Sequence, residues 1–244
     1  MSTSRDQSRL HPHIIAAILL AVGLATAGAA IGAGFLWARS ADRYVTVKGL
    51  AEREVDADLA IWPITFRLSG NDLVRLQEEI DRERETVAAF LRESGFDTSE
   101  ISYSAPKIID SKTEQIYRDR PTPEERYIVN VTVTTRSADV DLVKQTMENS
   151  AALVGKGIVI AAQNWETPTE FLFTSLNQIK PDMIETATKN AREAAEKFAQ
   201  DSGSKVGKIR RATQGYFSIS ERDRNSPDKK VVRVVTTVDY YLVD

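Results

Sequence analysis

Residues 54–95 read EVDADLAIWPITFRLSGNDLVRLQEEIDRERETVAAFLRESG, a predicted strand followed closely by a predicted helix. From Glu54 to Leu68 the apolar residues alternate with the period of a half-buried strand, and this alternation changes phase at Trp62-Pro63. A change of phase beside a proline predicts a bulge or a bend on an accessible edge. We therefore expect a long strand that bends in its middle.

The second part of the stretch has helical periodicity. Its apolar residues recur three or four positions apart between Leu73 and Leu91. Asn71 is the expected N-cap, and Gly95 is the expected stop, because glycine readily takes the left-handed conformation that ends helices. This helix follows the predicted strand after a short connection.

The rest of the body continues this alternation of strands and single helices. Further strands are predicted at Tyr44–Gly49, Ile101–Tyr117, Tyr127–Arg136, Lys208–Ile219 and Val231–Val243, with short ones near Ile158 and Phe171. A second helix is expected from the cap Ser137 to Gly155 and Gly157, and a third from about Pro181 to Gly203 with Phe198 on its inner stripe. A charged loop is expected at Glu221–Lys230. The predicted fold class is α+β, a two-lobed body of antiparallel sheets with about three helices packed on them.

An uncharged apolar run, Ile14–Ala38, precedes this body. Its 25 residues would make a helix of ~37 Å, long enough to cross a hydrocarbon core of ~30 Å. Arg5 and Arg9 precede the run, which favours a cytoplasmic N-terminus, whereas Arg39 and Arg43 follow it and weaken that orientation. The predicted organisation is a cytoplasmic tail at 1–13, a signal anchor at 14–38 and an exported domain at 43–244.

The alternative is a cleaved signal peptide, which would release a soluble periplasmic body. Ala27-Gly28-Ala29 offers the small residues that a signal peptidase requires. The run continues for nine residues beyond this point, which is longer than a signal peptide needs, so an uncleaved anchor fits better. Gly28 and Gly32 form a G-x-x-x-G pair through which two anchors could pack closely.

Composition excludes several kinds of chemistry. The chain has no cysteine, so disulfides, thiolate nucleophiles and zinc-thiolate sites are impossible. Its two histidines, His11 and His13, precede the apolar run. Residues 39–244 contain 30 Lys and Arg against 34 Asp and Glu, which gives no case for nucleic-acid binding. We expect no cofactor, no metal and no catalytic residue.

Several fragments resemble catalytic or binding motifs. Ser104-Ala105-Pro106-Lys107 spells S-x-x-K, but an extended segment with a proline puts serine and lysine on opposite faces. Residues 203–208 resemble a phosphate loop with the wrong spacing, and a helix end explains them better. Asp56 and Asp58 share a strand face and could hold calcium or act as an acid and base pair, although exposure or a hydrogen bond to a turn explains them better. Four aromatic residues could line a ligand groove or belong to the core: Trp62, Trp165, Phe171 and Phe173.

Charge is distributed unevenly along the body. Residues 72–100 contain nine acids and four bases, whereas residues 203–233 contain nine bases and three acids. These segments can pair within a chain, pair between copies, or be solvated. Pairing between copies would use the basic residues Lys205, Lys208, Arg210 and Arg211 as self-association contacts.

Two segments resemble a known family. Val47-Lys48-Gly49 followed by Val55–Ala60 is similar to an opening pattern V-x-G … V-x-P-D-x-A, with Ala57 where proline is usual, and residues 191–209 are similar to a helix-to-strand signature. On these segments, over residues 43–244, the chain resembles the SIMPL domain family. The resemblance implies an exported α+β fold that self-associates and serves the bacterial envelope and stress tolerance. It implies no catalytic residue.

The sequence therefore predicts a non-enzymatic, membrane-anchored protein of the bacterial inner membrane. We expect a single pass with the body in the periplasm, acting through homo-oligomers or contacts with other envelope proteins. A periplasmic module that binds a small molecule or a peptide is the first alternative. A hydrolase that works without histidine, through Ser104 or Asp58, is the second.

Overall fold

The structure is a computed structural model that describes residues 12–41, 43–113, 124–161 and 167–243. The helices are α1 (Pro12–Ala41), α2 (Leu73–Glu93), α3 (Val140–Glu148), α4 (Ala151–Gly155) and α5 (Leu176–Asp201), with a 3₁₀ turn at Thr98–Glu100. The strands are β1 (Tyr44–Asp56), β2 (Leu59–Gly70), β3 (Ile101–Tyr103), β4 (Lys107–Asp110), β5 (Tyr127–Ser137), β6 (Glu170–Leu172), β7 (Lys205–Gln214), β8 (Ser218–Asp223) and β9 (Ser226–Val243). The predicted α+β class with antiparallel sheets is confirmed.

The chain divides into two compact units, in agreement with the two predicted lobes. Unit 1 comprises residues 1–50, 186–215 and 235–244, and unit 2 comprises residues 51–185 and 216–234. Each unit has a hydrophobic core of its own. The described part of the body contains four α-helices rather than about three, because the predicted second helix is two helices, α3 and α4.

Unit 2 contains a five-stranded sheet of order β3-β5-β2-β6, with β4 also paired to β5. The register between β2 and β5 is continuous from Ala60↔Ser137 to Gly70↔Tyr127. Trp62, Ile64 and Phe66 of β2 all point into the core. The bulge predicted at Trp62-Pro63 is therefore wrong. The phase change instead reflects the break between β1 and β2 at residues 57–58.

Two predicted helix caps are wrong by one or two residues. The α2 cap is Asp72, whose carboxylate accepts hydrogen bonds from the backbone N–H groups of Val74 and Arg75. Asn71 instead accepts a hydrogen bond from the Arg126 backbone N–H at 2.9 Å. Asp139 caps α3, and the predicted cap Ser137 ends β5. The predicted stops are correct, since Gly95, Gly157 and Gly203 all have positive φ angles.

The start of α5 also differs from the prediction. The helix begins at Leu176, five residues before Pro181, which lies inside it. The Asp58 carboxylate accepts hydrogen bonds from the backbone N–H groups of Thr174 (2.6 Å) and Ser175 (2.8 Å), immediately before the first turn. This contact, made from a distant part of the chain, fixes the backbone that leads into the helix.

The strand predictions need three further corrections. The strand predicted at Ile101–Tyr117 is two short strands, β3 and β4, and residues 114–117 lie outside the described residues. The strand predicted at Lys208–Ile219 is the two strands β7 and β8. The predicted charged loop Glu221–Lys230 belongs largely to the β8–β9 hairpin, whose turn lies at residues 224–225.

In unit 1, the small side chains of α5 allow close packing on β1 and β9. The buried stripe consists of Ala187, Ala191, Ala195 and Ala199, and it packs near Val47, Val238 and Tyr240. Phe198 is 61% exposed, so its predicted place on the inner stripe is wrong. Gly49 marks the closest approach, because a Cβ atom there would lie 1.8 Å from the Ala187 carbonyl oxygen.

We predict that Gly49→Ala lowers the free energy of unfolding by about 2–3 kcal/mol, because the added methyl group overlaps backbone atoms of α5. The matched control is Gly155→Ala, where a Cβ atom meets nothing within 4 Å and the change should stay within about 0.5 kcal/mol. Thermal and chemical denaturation of the full chain measure both. Equal stabilities for the two variants would contradict this account of the packing.

Candidate functional site

Helix α1 contains an apolar segment with the properties of a membrane span. Ile14–Phe35 has a mean hydropathy of 2.5, and none of it is buried against the rest of the protein. It is the one such segment among the described residues. The hydroxyl of Thr26 donates to the Val22 carbonyl at 3.0 Å, so this polar group is satisfied inside the helix. Around Gly28 and Gly32 the helix surface is open, because a Cβ atom at either position meets nothing within 4 Å.

The connection from α1 to the body is very short. The helix ends at Ala41 and β1 begins at Tyr44. Arg43 is fixed in this connection, because its carbonyl accepts the Leu242 N–H at 2.9 Å and its guanidinium donates to the Ser204 hydroxyl at 3.1 Å. The Arg210 guanidinium lies over the Tyr44 ring, 4.1 Å from the ring centroid. Unit 1 is therefore attached closely to the end of the apolar helix.

Strand β7 places the predicted self-association residues on one exposed edge. In the described part of its sheet the strand order is β1-β9-β7, so β7 is an edge strand. Lys205, Lys208, Arg210 and Arg211 are all exposed. The pairing with β9 shifts register between Val206 and Ile209 and again before Arg211. Bulges, lysines and arginines on an edge disfavour pairing with a further strand, so the side chains rather than the backbone of β7 are available for contacts.

Four of the five other basic residues in the segment 203–233 form ion pairs within the chain, and the fifth, Arg224 in the hairpin turn, forms none with a described residue. Arg222 lies 3.8 Å from Glu54, Lys229 lies 2.5 Å from Asp56 and Arg233 lies 3.4 Å from Glu52. Lys230 lies 3.5 Å from Glu221 on the neighbouring strand. The partners are acids of β1 and β8, not the acidic helix α2. The basic segment 203–233 therefore divides into a mostly paired part in unit 2 and an exposed part on β7.

The paired carboxylates Asp56 and Asp58 do not form a common site. Asp56 ends β1 and binds Lys229, whereas Asp58 lies in the turn before β2 and binds the backbone ahead of α5. Partial burial raises the pKa of Asp58, but the hydrogen bonds from Ser175 and Thr174 lower it more, so the carboxyl pKa lies below its ordinary value. The expected hydrogen bond of Asp58 to the backbone is present, but its partner is the distant segment before α5 rather than a neighbouring turn.

The remaining motif candidates also have structural contacts. The Ser104 hydroxyl donates to the Thr132 carbonyl at 3.1 Å, and Lys107 begins β4. Gly203 follows the end of α5, as expected of a helix stop. Trp62 and Phe171 are buried in the core of unit 2, Phe173 is partly exposed, and Trp165 lies outside the described residues.

Unit 2 also contains a cavity that the sequence does not indicate. It has a volume of about 350 Å³, and its lining includes Met147, Phe171, Pro227 and the ion pair Lys144–Asp228. Lys144 Nζ lies 2.8 Å from Asp228 Oδ2, and Asp228 is nearly buried. Burial raises the pKa of Asp228, but the hydrogen bond and charge of Lys144 lower it more, so its pKa lies below the ordinary value.

Two features were missed by the sequence reasoning. The residues Arg43 and Tyr44 fix the junction after α1, and their position directly behind an apolar run ending in Trp37 is a signal of an interfacial site. No signal points to Lys144–Asp228, because the two residues lie 84 positions apart. In the described part of the chain, no group of three or more His, Cys, Asp or Glu residues is placed to hold a metal ion.

The fold and the site define an α+β domain attached directly to one apolar N-terminal helix. The family model SIMPL, described as a protein of unknown function (DUF541), matches residues 45–238. The chain therefore belongs to the SIMPL family. No curated protein matches the chain.

We predict that Lys144→Met lowers the free energy of unfolding at pH 7 by about 2 kcal/mol, because it leaves the Asp228 carboxylate buried without its partner. The lowered pKa of Asp228 stabilises the folded state above about pH 4, and this contribution is lost as the pH falls through the folded-state pKa. The difference between wild type and variant should therefore shrink in acid. The matched control is Lys156→Met, which removes an exposed pair with Glu93 and should cost less than about 1 kcal/mol. A loss that is equal for both variants would contradict the assigned role of the pair.

Proposed function

We propose that this protein is a membrane-anchored SIMPL protein of the bacterial envelope that acts through association rather than catalysis. The observation that carries this proposal is the uncovered apolar helix, which is joined to the body by residues 42–43 alone. An exposed helix of this length and hydropathy is stable in a bilayer and costly in water. The family resemblance adds envelope maintenance and stress tolerance as the process served.

The proposed location is the inner membrane, with the body in the periplasm. Arg5 and Arg9 before the helix favour a cytoplasmic N-terminus. The absence of cysteine makes the body indifferent to an oxidising compartment. The cleaved, soluble form remains the alternative.

A role without catalysis is supported by the hydrogen bonds that the candidate catalytic groups form. The Ser104 hydroxyl and the Asp58 carboxylate both bind the backbone and thereby hold the fold together. The alternative of a histidine-independent hydrolase has no further observation in its favour. The alternative of a binding module gains the cavity beside Lys144–Asp228, and a ligand that raises the melting temperature would favour it.

Association between copies is proposed to involve the anchor. The open surface around Gly28 and Gly32 allows the backbones of two helices to approach closely. Anchors held in one membrane also meet at a high effective concentration. The self-association role of Lys205, Lys208, Arg210 and Arg211 stays a prediction.

The proposed anchor predicts a defined membrane topology. An alkaline phosphatase fused to the C-terminus should be active, because the basic tail stays in the cytoplasm and the body is exported. The membrane fraction should contain the chain with its N-terminal residues intact, as measured by mass spectrometry. A mature chain that begins near Ala30 in the soluble periplasmic fraction would contradict the anchor.

The proposed packing of anchors predicts how glycine substitutions change the association of copies. The double variant Gly28→Leu, Gly32→Leu should reduce the native mass of the solubilised particle, because two branched side chains keep the helices apart. The matched control is Gly23→Leu, Gly34→Leu, whose glycines lie about 140–160° away on the opposite face at 100° per residue. This control should keep the mass of the wild type. A wild-type particle with the mass of one chain would refute self-association.

A further inference from the structure

The two units carry opposite net charges. From Arg43 onward, unit 1 (residues 43–50, 186–215 and 235–244) contains nine Lys and Arg and five Asp and Glu, a net charge of +4. Unit 2 contains 20 Lys and Arg and 28 Asp and Glu, a net charge of −8. The slightly acidic average of the body therefore conceals a basic unit, and this basic unit is the one that follows the apolar helix.

The chain geometry keeps the start of unit 1 at a membrane surface. The 22 residues Ile14–Phe35 span ~33 Å, which already fills a hydrocarbon core of ~30 Å. The six residues from there to Ala41 add ~9 Å, enough to cross a headgroup layer of ~5–7 Å. Tyr44 follows within ~10 Å of Ala41. The first residue of β1 therefore lies at the outer boundary of the headgroups.

Strand β7 reaches this same end of the sheet. Lys205 pairs with Val243, and the N–H of the preceding residue, Leu242, binds the Arg43 carbonyl. Two strand spacings of ~4.8 Å separate β7 from β1 across β9, so Lys205 lies ~10 Å from the junction. The Arg210 guanidinium also returns to the junction, where it stacks on Tyr44.

Three cations of β7 are available for a partner outside the chain. Lys205, Lys208 and Arg211 are exposed and form no ion pair with any residue in the described ranges. Asp239, which lies opposite Arg211 on β9, accepts the Thr46 hydroxyl at 2.8 Å, and Glu196 of α5 pairs with Arg192 at 3.1 Å. In the β8–β9 hairpin, by contrast, acids of β1 and β8 pair with Arg222, Lys229, Lys230 and Arg233.

Exposed apolar side chains accompany these cations. Tyr44 is 45% exposed, Ile209 49% and Val243 48%. Tyrosine is enriched where a protein meets the headgroup layer, because its ring is apolar and its hydroxyl is polar. Lysine and arginine next to an anionic leaflet are attracted to it within about a Debye length of the surface.

We propose that Lys205, Lys208 and Arg211 bind the anionic phospholipid headgroups of the membrane that holds α1. This inference rests on the proposed anchor. It adds a second, electrostatic contact that fixes unit 1 on the surface, so the orientation of the body depends on lipid charge. Lipid headgroups are favoured over the acidic helix α2 of a second copy as the partner of these cations. An anchored chain is always next to lipid, whereas a second copy must first diffuse to it.

The test uses lysine footprinting of the full chain in nanodiscs that hold a single copy. The amine acylation rates of Lys205 and Lys208 are measured by mass spectrometry in phosphatidylcholine discs and in discs with about one third phosphatidylglycerol. Both rates should fall about threefold or more in the anionic discs and recover at about 0.5 M salt. Lys112 and Lys156 of unit 2 are the internal controls, and their rates should not change with lipid charge.

A charge-reversed variant checks that the β7 cations act together. Lys205→Glu with Arg211→Glu should return the rate of Lys208 in anionic discs to its value in phosphatidylcholine discs. A circular dichroism melt of this variant verifies that the fold is retained. A variant that keeps the full protection of Lys208 would overturn the proposal.

The remaining outcomes distinguish a failure of the lipid contact from a failure of the anchor. Insertion into the discs with equal lysine rates in both lipids would overturn the headgroup contact and leave the anchor intact. Failure to insert into either disc would overturn the anchor itself. A second preparation of discs, each holding two copies, is measured for comparison. Lysine rates that fall only in these discs, whatever the lipid charge, would assign β7 to a second copy and overturn the lipid contact.

Discussion

The short connection between α1 and β1 is the constraint on which this account depends. Two residues join a helix that can cross a membrane to the first strand of the body, and hydrogen bonds from Leu242 and to Ser204 hold Arg43, the second of them. Two residues span at most ~10 Å between the helix end and the strand, so the start of the body stays close to the end of the helix. In the proposed anchored form, the end of the sheet formed by Tyr44, Lys205 and Val243 is the part of the body nearest the membrane.

The distribution of ion pairs follows from the same arrangement. In unit 2, acids of β1 and β8 form ion pairs with Arg222, Lys229, Lys230 and Arg233. On β7 the cations Lys205, Lys208 and Arg211 form no ion pair with a described residue and remain exposed, although Asp239 of β9 lies opposite Arg211, and the bulges of the strand disfavour pairing with a further strand. Of the exposed cations of the segment 203–233 that form no ion pair with a described residue, Lys205, Lys208 and Arg211 belong to unit 1, which contains α1, and Arg224 belongs to unit 2.

The sequence was sufficient where short-range periodicity decides the structure. The strand β5, the helix α2 and the glycine stops follow from apolar spacing and from the conformational freedom of glycine. The errors occur where residues far apart in the sequence determine the local structure. The Asn71 side chain accepts a hydrogen bond from the Arg126 N–H, so Asp72 caps α2 instead. Asp58 binds the backbone ahead of α5, and the helix starts there rather than at Pro181. Of the candidate site, the apolar helix and the basic residues of β7 were predictable. The neutralisation of the hairpin and the Lys144–Asp228 cavity required the tertiary structure.

The most direct test of the account is the depth of unit 1 relative to the bilayer. The chain has no cysteine, so Val243→Cys offers a single site for a spin label next to Lys205. In membranes that contain anionic lipid, the account predicts a label at the headgroup layer, with much reduced accessibility to a water-soluble relaxation agent. A label as accessible as a free nitroxide in water would contradict the account, because unit 1 would then not lie at the membrane surface.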